Sequence, residues 1–341
     1  MRLWRIGFAG FGNVNHALLR LLEERRGELR ARHGLEFRVT LVATRRRGAL
    51  VKESGLTIEE ALDGAWSGNV TALEAIREAP VDLIFEGTTL DPATGEPATT
   101  HVRTALERGV SVVSANKGPL AFAARELLLL ARRRKVGFRF ESSVADCLPV
   151  FDLYEAAVPI GDLVAFTGVL NSTSNLVLQA VARGGRLEEA VREAQRQGIA
   201  EADPSNDLDG WDQAVKAVIV SNVLFGADLR PRDVERTALA AVDLDWLRGE
   251  EKRGSTVRLC ATGGRGRPAR VAPVSLAPGS FLATLGGGSL GMELDTELAG
   301  RIQVASSDPG VPHTAYGMLT DLVAIHQGRL TIPSPLLQGE A

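Results

Sequence analysis

Trp4-Arg5-Ile6-Gly7-Phe8-Ala9-Gly10-Phe11-Gly12-Asn13-Val14-Asn15 is the stretch whose reading decides the fold. Residues Trp4 to Phe8 are apolar enough to predict a short strand, and a helix is expected after the glycines. Val14, Ala17, Leu18, Leu21 and Leu22 recur there at helical spacing. Strand, glycine turn and helix together are the setting that a dinucleotide-binding fingerprint requires. Gly10 permits the tight turn. Gly12 lets the backbone approach a pyrophosphate, which would sit at the positive helix N-terminus where Asn13 and Val14 begin the first turn. Asn15 occupies the place of the third glycine. The same pattern serves as a plain turn in other α/β proteins, so the reading depends on what surrounds it.

The next strand is expected from Phe37 to Thr44, followed by Arg45-Arg46-Arg47. A strand end that selects NAD usually carries an acid for the ribose 2′-hydroxyl, and none is present. Arginines suit a 2′-phosphate, so Arg45 is a candidate cofactor residue and NADP(H) is expected over NAD(H). A solvated basic loop is the plainer alternative. Further strands are predicted at Val81 to Phe85, Val110 to Ser114 and Val136 to Phe140, with helices at Ala98 to Arg108 and Leu120 to Arg134. Apolar strands alternating with helices indicate an α/β fold with a doubly wound, Rossmann-type parallel sheet. Ligands in such sheets lie beyond the strand carboxyl ends, which makes Thr88, Asn116, Lys117 and Glu141 site candidates.

Composition narrows the function classes. A net charge of −3 over 341 residues argues against a nucleic-acid binder. No basic n-region leads into an apolar run near Met1, and no uncharged apolar stretch is long enough to span a bilayer, so no leader and no membrane span are expected. Cys147 and Cys260 stand far apart in no metal or redox spacing, which suits a reducing, cytoplasmic setting. Lysine is scarce: of 39 basic residues only Lys52, Lys117, Lys135, Lys216 and Lys252 are not arginine. Arginine cannot release a proton near neutral pH, whereas lysine can, so a lysine kept against this bias is a candidate for proton chemistry.

A further strand is expected around Asp162 to Leu170. An acidic loop then precedes a helix in Gly198-Ile199-Ala200-Glu201-Ala202-Asp203-Pro204-Ser205-Asn206-Asp207-Leu208-Asp209-Gly210-Trp211-Asp212-Gln213-Ala214-Val215-Lys216. Asp212 and Lys216 are four apart and share a helix face. An exposed ion pair of little worth is the plain reading. The rarity of lysine and the density of carboxylates beside it favour function.

Three motifs carry a family resemblance: Ser-Ala-Asn-Lys-Gly-Pro at 114–119, Gly-Val-Leu-Asn-Ser-Thr-Ser-Asn at 168–175, and Ala-Glu-Ala-Asp-Pro through Asp-Gly-Trp-Asp-Gln-Ala-Val-Lys at 200–216. Taken in this order the chain resembles homoserine dehydrogenase from residue 1 to about 330, in its short, catalytic-only form. The resemblance implies oxidation of L-homoserine to L-aspartate 4-semialdehyde, and the reverse, with a nicotinamide cofactor. It implies Lys216 as acid/base, Lys117 as a second catalytic lysine, and Asp212 beside them. It implies Glu201, Asp207 and Asn171 as substrate-binding residues, and a monovalent cation (Na⁺ or K⁺) held near Glu141 and Val144. A homodimer acting on a small amino-acid substrate is expected. The expected organisation is a nucleotide domain over 1–145, a substrate and dimerisation domain over 146–303, and a C-terminal segment, 304–341, returning to the first. Four places depart from the family pattern: Asn15, Asp146, Ser172 and the turn Ser307-Asp308-Pro309-Gly310. They keep open a relative that acts on another small polar hydroxy or amino acid, or a non-catalytic NADP(H)-binding regulator.

Overall fold

In the computed structural model, residues 2–64, 66 and 68–338 are described. Strand β1 (Arg2–Ala9) runs into helix α1 (Asn13–Glu24), and β2 (Leu35–Thr44) follows alongside β1 in parallel. The edge strand β3 (Gly48–Val51) then turns back antiparallel onto β2. Strands β4 (Leu83–Glu86), β5 (Ser111–Ser114) and β6 (Phe138–Arg139) complete the sheet, with α2 (Ala98–Glu107) and α3 (Gly118–Arg134) as crossovers. The order β3-β2-β1-β4-β5-β6 is that of a dinucleotide-binding fold. The sheet is parallel except at β3, a hairpin arm whose four residues are too short to announce themselves by pattern.

The chain divides into two compact units. The first holds residues Met1–Cys147 and Gly310–Pro333, with Leu337–Ala341. Its core packs Trp4, Ile6, Phe8, Leu18, Leu22, Val39 and Phe85 against Met318, Leu322 and Ile325 of the C-terminal helix Val311–His326. The return therefore starts at Gly310 and not at 304, because 301–306 form the last strand of the other unit. Inside the first unit Asp321 and Arg139 are both fully buried and pair at 3.1 Å. Asp321 also accepts the Glu141 backbone N–H at 2.8 Å. A buried carboxylate needs such partners, since burial without them is costly.

The second unit, Leu148–Pro309 with Ser334–Leu336, is built on a mixed sheet. Its strands are β7 (Leu163–Val169), β8 (Glu235–Arg236), β9 (Thr256–Gly264), β10 (Arg267–Leu276), β11 (Leu290–Thr296) and β12 (Arg301–Ser306), ordered β12-β11-β7-β9-β10-β8. Helices α4 (Ser172–Ala182), α5 (Leu187–Arg196), α6 (Trp211–Phe225) and α7 (Leu244–Lys252) accompany it. Val215, Val218, Ile219 and Val223 of α6 are buried, as their spacing predicts. Cys260 is buried in this unit, and burial pushes its thiol up to about 12, so it is inert at neutral pH. Cys260 is in no disulfide.

Candidate active site

In the first unit the site candidates gather at the carboxyl ends of β1, β4 and β5. Gly10 has φ +77°, and a side chain there would meet the Gly87 carbonyl and the Thr88 amide at 2.6 Å. Only glycine satisfies both demands. Gly12 caps α1, and the space where its side chain would point is open. No side chain caps this helix and no acid lies in its first turn. The first-turn amides at Asn13 and Val14 are thus aimed at an anion, as a pyrophosphate would require. Asn15 is buried at the third glycine position; its amide donates to the Gly10 carbonyl at 2.5 Å and abuts Gly87. It ties the turn to the β4 end, where the family's glycine would only permit close packing. These residues fit a dinucleotide.

Thr88 and Asn116 join neighbouring strand ends. The Asn116 side chain donates to the Thr88 carbonyl at 2.9 Å and accepts the Gly118 amide at 2.8 Å. Lys117 follows directly and stands half-buried at the start of α3. Glu86 was not singled out from the sequence. It is fully buried at the end of β4, accepts the Thr88 hydroxyl at 2.5 Å and lies 3.5 Å from His101. An acid closing an apolar strand run beside a glycine was the available signal. At the end of β2 the three arginines differ. Arg47 donates to the Leu62 and Gly64 carbonyls and covers the Trp66 ring, whereas Arg45 and Arg46 are exposed and make no hydrogen bond or ion pair among the described residues.

Glu141 and Val144 lie together at the short helical turn Ser142–Ala145, both buried. Among the described residues no group of three or more His, Cys, Asp or Glu could hold a metal, so a cation here would depend on backbone carbonyls. Asp146, in the stretch that departs from the family pattern, stands at φ +56°, and its carboxylate accepts the Thr314 hydroxyl at 2.5 Å. That side chain is engaged in holding the C-terminal helix.

In the second unit four predicted residues converge. Asn171 caps α4 by accepting the Ser174 amide at 2.8 Å. Its own amide donates to Asp207 at 2.8 Å and to Asp212 at 2.9 Å. Asp212 pairs with Lys216 at 2.8 Å, and Lys216 donates to the Leu170 carbonyl at 2.5 Å. The pair is only 17% and 12% exposed, so it is no solvated surface contact. Burial, and then the charge of Asp212, push the Asp207 carboxyl above its ordinary range. Gln213, also missed from sequence, is fully buried and donates to Ser174 at 3.2 Å, bracing the α4 cap from α6. Arg236 lies over Trp211 and donates to the Asp209 carbonyl at 2.7 Å, which fixes the loop entering α6. Glu201 is not drawn into this cluster: it is exposed, and its carboxylate makes no hydrogen bond or ion pair among the described residues. Asp308, at φ +44°, accepts the Gly288 amide at 2.8 Å, and Ser172 lies against the same glycine. Two of the four departures thus meet at one loop.

Comparison with known proteins decides what this geometry belongs to. The family model for homoserine dehydrogenase matches residues 149–323, and that for the homoserine dehydrogenase NAD-binding domain matches residues 10–141. The chain belongs to the homoserine dehydrogenase family. It is 34% identical to an NAD(+)-dependent homoserine dehydrogenase of Pseudomonas canavaninivorans, over 96% of this chain and 97% of that one. It is 30% identical to the homoserine dehydrogenase of Methanocaldococcus jannaschii, over 93% of this chain and 97% of that one. A hyperthermophilic archaeal homoserine dehydrogenase solved with NADPH superposes with a TM-score of 0.81 at 25% identity, covering 98% of this chain and 99% of that one. The chain is therefore an NAD(P)-dependent oxidoreductase, with its glycine turn in the first unit and its acidic, lysine-bearing cluster in the second. No helix among the described residues is long and apolar enough to cross a membrane.

Proposed function

We propose that the enzyme interconverts L-homoserine and L-aspartate 4-semialdehyde through Lys216, and that the contact of Lys216 with Asp212 and the Leu170 carbonyl carries this reading. Oxidation removes a hydride from the substrate C4 carbon and a proton from its hydroxyl. The bound nicotinamide supplies the hydride acceptor or donor. Lys216 handles the proton: the free amine takes it from the hydroxyl, and the ammonium returns it to the aldehyde oxygen in reduction. Asp212 and Asn171 fix where the Lys216 Nζ sits. Asp207, and Glu201 from its exposed loop, offer carboxylates to the substrate ammonium, while Lys117 assists as a second catalytic lysine. Glu141 and the backbone at Val144 are the residues that would hold a monovalent cation.

NADP(H) is the preferred cofactor on this reading, supported by exposed Arg45 and by the lack of a carboxylate at the end of β2. The relative named as NAD(+)-dependent makes this preference worth testing directly. A homodimer in the cytoplasm completes the proposal. The reaction is tested with Lys216→Ala. Turnover should fall on the order of 100-fold or more while cofactor Kd stays unchanged. Near-normal turnover would remove Lys216 from the proton step.

A further inference from the structure

Strand β4 closes on a buried carboxylate that the proton step at Lys216 does not use. Glu86 is fully buried, and its Oε2 has no hydrogen-bond partner among the described residues. A carboxylate oxygen left without a donor in the interior is costly, and a neutral side chain would avoid that cost. Sequences break such rules chiefly where function requires it. The other oxygen, Oε1, accepts the Thr88 hydroxyl at 2.5 Å and the Thr88 backbone N–H at 3.3 Å, with His101 Nδ1 3.5 Å away. A backbone N–H can only donate, so Oε1 is the acceptor at this point. The Thr88 hydroxyl proton is therefore directed at Glu86. The hydroxyl oxygen accepts no hydrogen bond among the described residues, and Thr88 is only half-buried. It thus offers lone pairs alone to what lies beyond the strand ends. The Thr88 backbone is pinned separately, because its carbonyl accepts from Asn116 at 2.9 Å.

We propose that Glu86 is a positioning residue that makes Thr88 an acceptor for the carboxamide N–H2 of the nicotinamide. This rests on the assigned cofactor and not on the proton step at Lys216. In the sheet, β2 with its arginines lies on one side of β1, and β4 and β5 lie on the other. A dinucleotide whose pyrophosphate sits at the Gly10 turn, with its adenosine ribose toward β2, sends its nicotinamide half over β4 and β5. The carboxamide presents a carbonyl oxygen at one end and N–H donors at the other. A hydroxyl free to rotate serves either end. One whose proton is held by Glu86 serves only the N–H2 end. Glu86 thereby selects one of the two flipped settings of the carboxamide.

The test titrates the full-length enzyme with NADP⁺ and with its 3-acetylpyridine analogue, in which a methyl group replaces the carboxamide N–H2, and compares Kd. The parent should bind NADP⁺ about fivefold or more tightly than the analogue. In Glu86→Leu the hydroxyl proton is released and can turn to the carbonyl oxygen that both ligands carry, so the ratio should fall to about twofold or less. Loss of a merely structural contact would weaken both ligands alike and leave the ratio unchanged. Thr88→Val should also lower the ratio, and it serves should Glu86→Leu fail to fold. A parent that binds both ligands equally overturns the proposal. So does a ratio that persists in Glu86→Leu or Thr88→Val. NAD⁺ and its own acetylpyridine analogue give the same comparison if the parent prefers NAD⁺. None of these titrations requires homoserine, so a failure of the assigned reaction and a failure of the proposal are distinguishable.

Discussion

Asp207 shows what the acidic cluster around Asn171 costs the fold. Its carboxyl is pushed up by burial and by Asp212, against the hydrogen bond from Asn171 and the charge of Lys216. A carboxyl whose native pKa is raised binds its proton more tightly folded than unfolded. The stability from that proton is present below the ordinary carboxylate pKa and is lost as pH rises through the native value. At neutral pH the charged group is therefore a burden on the fold. Asp207→Asn, which can still accept from Asn171, should melt higher than the parent near pH 7, and the gap should close toward about pH 4. The same variant should raise the KM for homoserine. A lower melting temperature for Asp207→Asn at neutral pH would show that the charge stabilises the fold. At this scale the sequence exposed Asp212 and Lys216 through their spacing, the scarcity of lysine and the carboxylates around them. The bonds from Asn171 join residues 36 and 41 positions apart, and no local pattern encodes such a contact. Asp146 was legible as a departure, but its use was not, because Thr314 lies 168 residues away.

Among the elements, β1, β2, β5, α2 and α3 could be read from apolar period and glycine punctuation to within a few residues. β3 could not, being four residues paired antiparallel at an edge. The turn after β2 is where the proposed cofactor preference rests. Arg47 is committed to the Leu62 and Gly64 carbonyls, so the proposed 2′-phosphate contact falls to Arg45 and Arg46. Arg45→Glu should raise Kd for NADP⁺ about tenfold or more by replacing a charge-assisted hydrogen bond with repulsion, and should change Kd for NAD⁺ far less. Tighter binding of NAD⁺ than NADP⁺ by the parent enzyme would remove the preference.

For the whole molecule, a return of residues 304–341 to the first unit was the expectation from family resemblance, and the segment that packs there starts at Gly310. Its physical cause is visible only in the structure. Met318, Leu322 and Ile325 fill the core beside α1, and Asp321 neutralises the buried Arg139. Neither an apolar helix nor a lone aspartate names its partner in the sequence. The chain is an NAD(P)-dependent oxidoreductase of the homoserine dehydrogenase family, and the proposed reading gives it a cofactor turn in the first unit and a proton-handling lysine in the second. The most direct measurement mixes purified enzyme with L-homoserine and NADP⁺ at about pH 9, where the lysine base is favoured, and follows NADPH absorbance. Steady NADPH formation that depends on homoserine is the predicted result. Absence of turnover from protein that still binds NADP⁺ would contradict the assignment, and would turn attention to the loop where Ser172, Gly288 and Asp308 meet.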